Sequence, residues 1–162
     1  MRRMYSENQL LKAIEKESAE NGIKVYENVV DKDGHARFIE GDIVTPEITG
    51  VTQTYGKWSL SGSHLLMVLG FSATNATVIP AWQKLGTLNN LPSWILDKIA
   101  VLFATNIVDQ KTLSLYNSGG TTQQMTARLL KTSGEIQITV STLTLSDTRD
   151  GRISFDLLID NE

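Results

Sequence analysis

The sequence predicts a mainly β protein, an antiparallel β-sandwich of jelly-roll-like character with a short N-terminal α-helix. Three observations predict it. Apolar residues alternate with period two over most of the chain after Gly22. Gly, Asn and Asp clusters punctuate those runs at intervals of about ten residues, the rhythm of a sandwich or barrel. Only the stretch ahead of Gly22 combines an extended helical spacing with a start and a stop signal.

That stretch opens with Ser6-Glu7-Asn8-Gln9, in which the Ser6 hydroxyl can accept from the Gln9 amide while the Gln9 side chain reaches back. Leu10 and Ile14 form a narrow apolar stripe with Leu11 one row over, and Asn21-Gly22 supplies a left-handed stop. The expected helix covers residues 7–20. A helix this short is marginal alone in water and has to dock on its own domain or on sister helices. Ile23, Val25 and Val29 then alternate into Asp31-Lys32-Asp33-Gly34, a turn with Gly where positive φ is tolerated, and Ala36 and Phe38 return. Residues 23–39 therefore read as a hairpin. Gly41 and Pro46 break the pattern, which divides the chain into a helix (1–22), a hairpin linker (23–47) and a β-head (48–162).

Within the head, residues 58–69 read as one long strand. Trp58, Leu60, His64, Leu66 and Val68 share one face; the other runs from Ser59, Ser61 and Ser63 to Leu65, Met67 and Leu69. Thr74 to Pro80 reads as a further short strand. Leu91-Pro92-Ser93-Trp94-Ile95-Leu96 suggests a helical turn in a long connection, with Pro92 near its start. Ile99 to Ala104, Leu113 to Tyr116, and Met125 to Leu129 read as strands, with Asn117-Ser118-Gly119-Gly120 as the turn between the last two. Ile136, Ile138 and Val140 share one parity while Leu143 and Leu145 share the other, so a bulge or corner is expected at Ser141-Thr142. Asp147 to Gly151 turns the chain into a final alternating strand, Ile153, Phe155, Leu157 and Ile159.

Composition narrows the function. The 162 residues (17.9 kDa) have room for one domain and an accessory element. With no cysteine, disulfides, thiolate metal sites and cysteine nucleophiles are excluded. The longest apolar runs, His64 to Phe71 and Ile99 to Ala104, are too short to span a bilayer, and no signal-peptide core follows Arg2 and Arg3. A net charge of −3 and a pI near 5.4 argue against nucleic acid as a partner. The charge is unevenly spread. Residues 1–47 hold ten acids and seven bases, whereas between Ile48 and Leu96 the only formal charges are Lys57 and Lys84. A segment so nearly uncharged is buried within the domain or against other copies. Leu10 and Ile14 on the helix, and Leu65, Met67 and Leu69 on the long strand, are the candidate oligomer contacts.

Catalytic constellations are thin. His35 and His64 lie far apart; His64 shares a face with Trp58 and Leu66, as a hydrogen-bonded core histidine would. Asp147, Asp150 and Asp156 sit in or beside a turn and lack the further acid that an EF-hand loop needs. Gly119-Gly120 precedes a strand, so it opens no phosphate-binding helix, and Ser61-Gly62-Ser63 is not a nucleophile elbow. The expectation is no enzyme, no cofactor and no metal. Saccharide binding asks only for exposed aromatic faces with amides or hydroxyls in loops. Trp82 beside Gln83 and Lys84, and Tyr116-Asn117 leading into the Gly-rich turn, are the candidates. Trp94, just after Asn89 and Asn90, could also stack, though Trp58 and Trp94 fit core anchors and Trp82 a packed loop plug.

Three stretches carry a resemblance: Val29-Val30-Asp31-Lys32-Asp33-Gly34-His35-Ala36-Arg37-Phe38-Ile39-Glu40-Gly41-Asp42, Tyr55-Gly56-Lys57-Trp58-Ser59-Leu60-Ser61-Gly62-Ser63-His64-Leu65, and Arg152-Ile153-Ser154-Phe155-Asp156-Leu157-Leu158-Ile159-Asp160. Their texture is similar to that of phage and prophage tail fibre or baseplate appendage proteins. The resemblance implies a homotrimeric virion protein, assembled in the bacterial cytoplasm among other phage structural proteins, whose head either builds the particle or binds a host cell-surface glycan. It carries over no catalytic residue. A capsid decoration or head-fibre protein and a monomeric carbohydrate-binding module stay open as alternatives; a saccharide-cleaving tailspike fragment would need paired carboxylates that the sequence does not offer.

Overall fold

The computed structural model describes residues 34, 35 and 38–159. The expected 7–20 helix, with Leu10 and Ile14, and the first arm of the hairpin lie outside the described residues.

Among the described residues ten strands and one helix follow in order: β1 (Phe38–Val44), β2 (Val51–Ser61), β3 (His64–Ala73), β4 (Val78–Ile79), β5 (Gln83–Leu88), α1 (Ser93–Leu102), β6 (Ile107–Tyr116), β7 (Thr122–Thr132), β8 (Glu135–Val140), β9 (Leu143–Thr144) and β10 (Arg149–Leu158). Eight of them close into an antiparallel barrel in the order β1-β2-β3-β10-β6-β7-β8-β5, and β4 pairs with β9. The mainly β, antiparallel character is as the sequence predicts, but the two layers of the expected sandwich do not keep free edges. β1-β2-β3-β10 and β5-β8-β7-β6 meet at two corners. β1, assigned to the linker at sequence level, pairs with β2 on one side and β5 on the other, so the barrel already includes Phe38.

The interior is a continuous apolar core in which Trp58, Leu65, Met67, Leu69, Phe71, Leu115, Ile138 and Phe155 are almost wholly enclosed. β10 shows the rule most clearly, alternating buried and exposed residues along its whole length. Apolar side chains point inward and polar ones outward, the inverse of a lipid-facing barrel.

Two corrections concern periodicity. Residues 58–69 are not one strand. Ser61 pairs with His64 across a two-residue turn at Gly62-Ser63, where Gly62 has φ +61. The turn inverts the parity of the buried face, so Trp58 and Leu60 point inward from β2 and Leu65, Met67 and Leu69 from β3. Residues 99–104 are not a strand either. α1 runs through Leu102, burying Ile95 and Ile99 one helical turn apart. Pro92, at φ −58, leads into it without a side-chain cap, and the expected single turn extends to ten residues. Lys131 on β7 caps the far end, its Nζ donating to the carbonyls of Phe103 and Ala100.

α1 plugs one pole of the barrel. The start of β1, the end of β10 and the Gly62-Ser63 turn lie at this helix pole, held by the register Phe38 to Ser61 to His64 to Leu158 and by the Ile159 amide donating to the Ser63 carbonyl (2.8 Å). The segments 45–50, 74–82, 117–121 and 141–148, β4 and β9 among them, gather at the opposite, loop pole. The corner expected at Ser141-Thr142 is present: the Ser141 amide donates to the Thr126 carbonyl, and the Ser141 hydroxyl accepts from the Thr126 amide.

Candidate functional site

The strand directions place Tyr116 and Asn117 at the loop pole and Trp82 on the flank of the barrel, so they do not bring the three saccharide candidates together. Trp82 immediately precedes β5, Tyr116 ends β6, and Asn117 opens the loop that follows. Trp82 stacks over Arg128 and Tyr116 pairs with Thr122, six residues further along β7, so the two aromatic groups stand about 20 Å apart along the strand. They do not form one subsite.

Trp82 is 40 % exposed. Its backbone sits at φ +56, a left-handed conformation costly for a bulky residue. The guanidinium carbon of Arg128 lies 3.3 Å from the centre of the indole ring, and Arg128 Nε donates to Gln110 Oε1 at 2.7 Å. Trp82 is therefore neither a buried plug nor a freely presented ring face. Arg128 was not legible as its partner, because the contact joins residues 46 positions apart and no sequence spacing encodes it.

Register places Arg128 beside Gln110 on one side and Thr139 on the other, and Thr139 beside Lys84. These four side chains form one row across the outer face of β6, β7, β8 and β5. Thr139 is only 4 % exposed although it lies on the outer face, and its hydroxyl has no hydrogen-bond partner among the described residues. Among the described residues neither Arg128 nor Lys84 meets a carboxylate. Lys57, by contrast, is held by Asp42 at 2.6 Å, and that hydrogen bond raises the Lys57 pKa above its usual value.

Tyr116 is exposed at the corner between β6 and β10. Asn117 belongs to the framework: its Nδ2 donates to Asp147 Oδ2 at 2.6 Å and its Oδ1 accepts from the Thr121 amide at 2.9 Å. Arg149, nearly buried, donates from Nε to Asp147 Oδ1 (2.7 Å) and from Nη1 to the Thr121 carbonyl (3.1 Å). The hydrogen bond from Asn117, helped by Arg149, holds the Asp147 carboxyl below its ordinary range against partial burial.

Three further expectations are corrected. Leu65, Met67 and Leu69 are fully enclosed by their own chain and have no surface to offer another copy. His64 is not a core residue: its side chain is 60 % exposed and Nδ1 lies 3.0 Å from Asp156 Oδ1 across the β3–β10 pair. The Gly62-Ser63 turn places it on the outer face. His35 stacks on Trp94 with ring centres 4.4 Å apart at the helix pole, so one face of that indole is already covered. Trp58 is a core anchor, and its Nε1 donates to the Asn89 carbonyl at 2.9 Å. Among the described residues no three His, Cys, Asp or Glu side chains converge as metal ligands, and no helix is long and apolar enough to cross a membrane.

No protein-family model and no curated protein sequence matches the chain. Among solved structures it is similar to the Ad16 fiber knob, at 10 % identity and a TM-score of 0.41, over 75 % of this chain and 93 % of that one. It is also similar to the distal domain of the mouse adenovirus 2 fibre, at 12 % identity and a TM-score of 0.39, over 83 % of this chain and 86 % of the other.

Proposed function

We propose that the chain is a non-enzymatic structural and attachment subunit of a virion appendage, of the phage tail-fibre or baseplate kind, that assembles as a homotrimer and contacts host surface saccharide. One observation carries this reading: the barrel is polar in its construction. The first and last described strand ends, Phe38 and Leu158, lie at the helix pole, whereas the exposed Tyr116 stands at the loop pole, with Trp82 on the flank of the barrel against Arg128. A head so arranged can be held from one end and present the other.

The helix pole also offers a face for assembly. Phe38, Leu66 and Leu158 are exposed on the outer surface of β1, β3 and β10, with Ser59, Ser61 and His64 set among them by register. Beside them an open groove of about 320 Å³ is lined by Phe38, Ile39, Leu60 and neighbouring residues. Apolar patches of this kind on a polar surface mark contacts with other molecules. In the sparsely charged 48–96 segment it is this outer face, rather than Leu65, Met67 and Leu69, that takes the interface role.

Light scattering on the purified full chain tests the assembly. The expected mass is three times 17.9 kDa, with Leu66→Arg or Leu158→Asp shifting it toward the single chain. A monomer at micromolar concentration overturns the reading.

A further inference from the structure

We propose that the row Gln110, Arg128, Thr139 and Lys84, with Trp82 stacked on Arg128, is a binding site for an anionic saccharide. The inference rests on the attachment reading and gives it a place and a ligand class. The Arg128 guanidinium is fixed twice, by its stack on Trp82 at 3.3 Å and by the bond from Nε to Gln110. Both leave Nη1 and Nη2 without a partner among the described residues, and that planar fork matches a carboxylate or sulfate. A guanidinium already held in place loses little freedom when an acid arrives.

Charge supports the assignment. In a protein of net charge −3, two cations that each flank Thr139 meet no acid among the described residues, whereas Lys57 and Arg149 are paired. They lie two strand spacings apart, about 10 Å, within reach of one acidic disaccharide. The second observation is independent. The Thr139 hydroxyl, 4 % exposed and on the same face between the two cations, has no partner among the described residues. Buried hydroxyls are rarely left so, and a ligand oxygen or the water it orders would complete it. The left-handed backbone at Trp82 fits the same picture, since strain of this kind collects at functional sites.

The test is calorimetric titration of the full chain with three probes: a uronic-acid oligosaccharide, a sulfated oligosaccharide and a neutral glucose oligomer. One or both anionic probes should bind while the neutral one does not, and the two anionic arms identify the acid. Arg128→Gln should weaken binding about ten-fold or more, and Arg128→Lys, which keeps the charge but not the fork, several-fold. Near-UV circular dichroism checks folding, and Lys84→Gln, away from the indole stack, carries the test should Arg128→Gln misfold. No binding of either anionic probe at millimolar concentration, or unchanged binding by correctly folded variants, overturns the proposal. Light scattering on the same samples separates the two readings: a trimer indifferent to anionic sugar overturns the site alone, and a monomer that binds it upholds the site and overturns the appendage.

Discussion

The two corners of the barrel are closed by different means. Between β1 and β5 the backbone pairs at two positions, Ile43 with Leu88 and Val44 with Thr87, and the Asn89 amide adds a bond to the Asp42 carbonyl. Trp58 seals this corner from inside: its indole lies against Gly41, where a Cβ would stand 2.4 Å from Nε1. Between β10 and β6 the backbone pairs only at Asp150 and Tyr116. There a side-chain network of Arg149, Asp147 and Asn117 ties the 117–121 loop to the start of β10. One corner is held mainly by packing, with only the exposed Asp42–Lys57 pair beside it; the other is held by charge and depends on pH.

Substitutions can break or sharpen that contrast. The largest effect is expected from Trp58→Ala, which empties the packed corner and leaves the Asn89 carbonyl without its donor; urea unfolding should show a loss of about 3–5 kcal/mol with little change between pH 7 and pH 4. Arg149→Met strands Asp147 and the Thr121 carbonyl at the other corner. A loss of about 2–3 kcal/mol is expected there, discounted because Asp147 is partly exposed, and hydrogen exchange should accelerate in the 117–121 loop before the β1–β5 corner responds. Gly41→Ala should cost about 1–3 kcal/mol by pushing the indole from its seat, visible as a red-shifted tryptophan emission.

The smallest effect is the most specific. Asp147 is held below its ordinary pKa, so its contribution is complete above about pH 4 and is lost as pH falls through the folded value. Wild type should therefore lose stability between pH 5 and pH 3 more steeply than Asp147→Asn. Parallel acid limbs for the two proteins would show that charge does not hold the corner.

Much of the barrel was legible where one strand speaks for itself. Ile153, Phe155, Leu157 and Ile159 declare their inward face by alternation alone, and the parity change between Val140 and Leu143 marks the turn at Ser141. Legibility failed where two patterns shared residues. The serines at 59, 61 and 63 continued an alternation straight through Gly62-Ser63, although Gly-Ser is itself a two-residue hairpin signal. The run from Ile99 to Ala104 is apolar throughout, so period alone could not distinguish helix from strand, and the packing of Ile95 and Ile99 decided it. Of the candidate site, the exposure of Tyr116 was readable, since it adjoins a turn signal, whereas Trp82 fitted a packed loop plug and is 40 % exposed instead. Lys84 was named beside Trp82, but Arg128 and Thr139 were not legible, because their adjacency to it is created by register between strands.

The neighbouring positions of Phe38 and Leu158 have a practical consequence. Three strand spacings separate them, about 14 Å, which a linker of roughly five residues can bridge. A circular permutant of residues 38–159 joined there and opened between Ser118 and Gly119 would keep every barrel pairing while moving its ends to the opposite extremity. Such a molecule should fold as the parent does, yet any tether fused to it would shadow the surface around Tyr116.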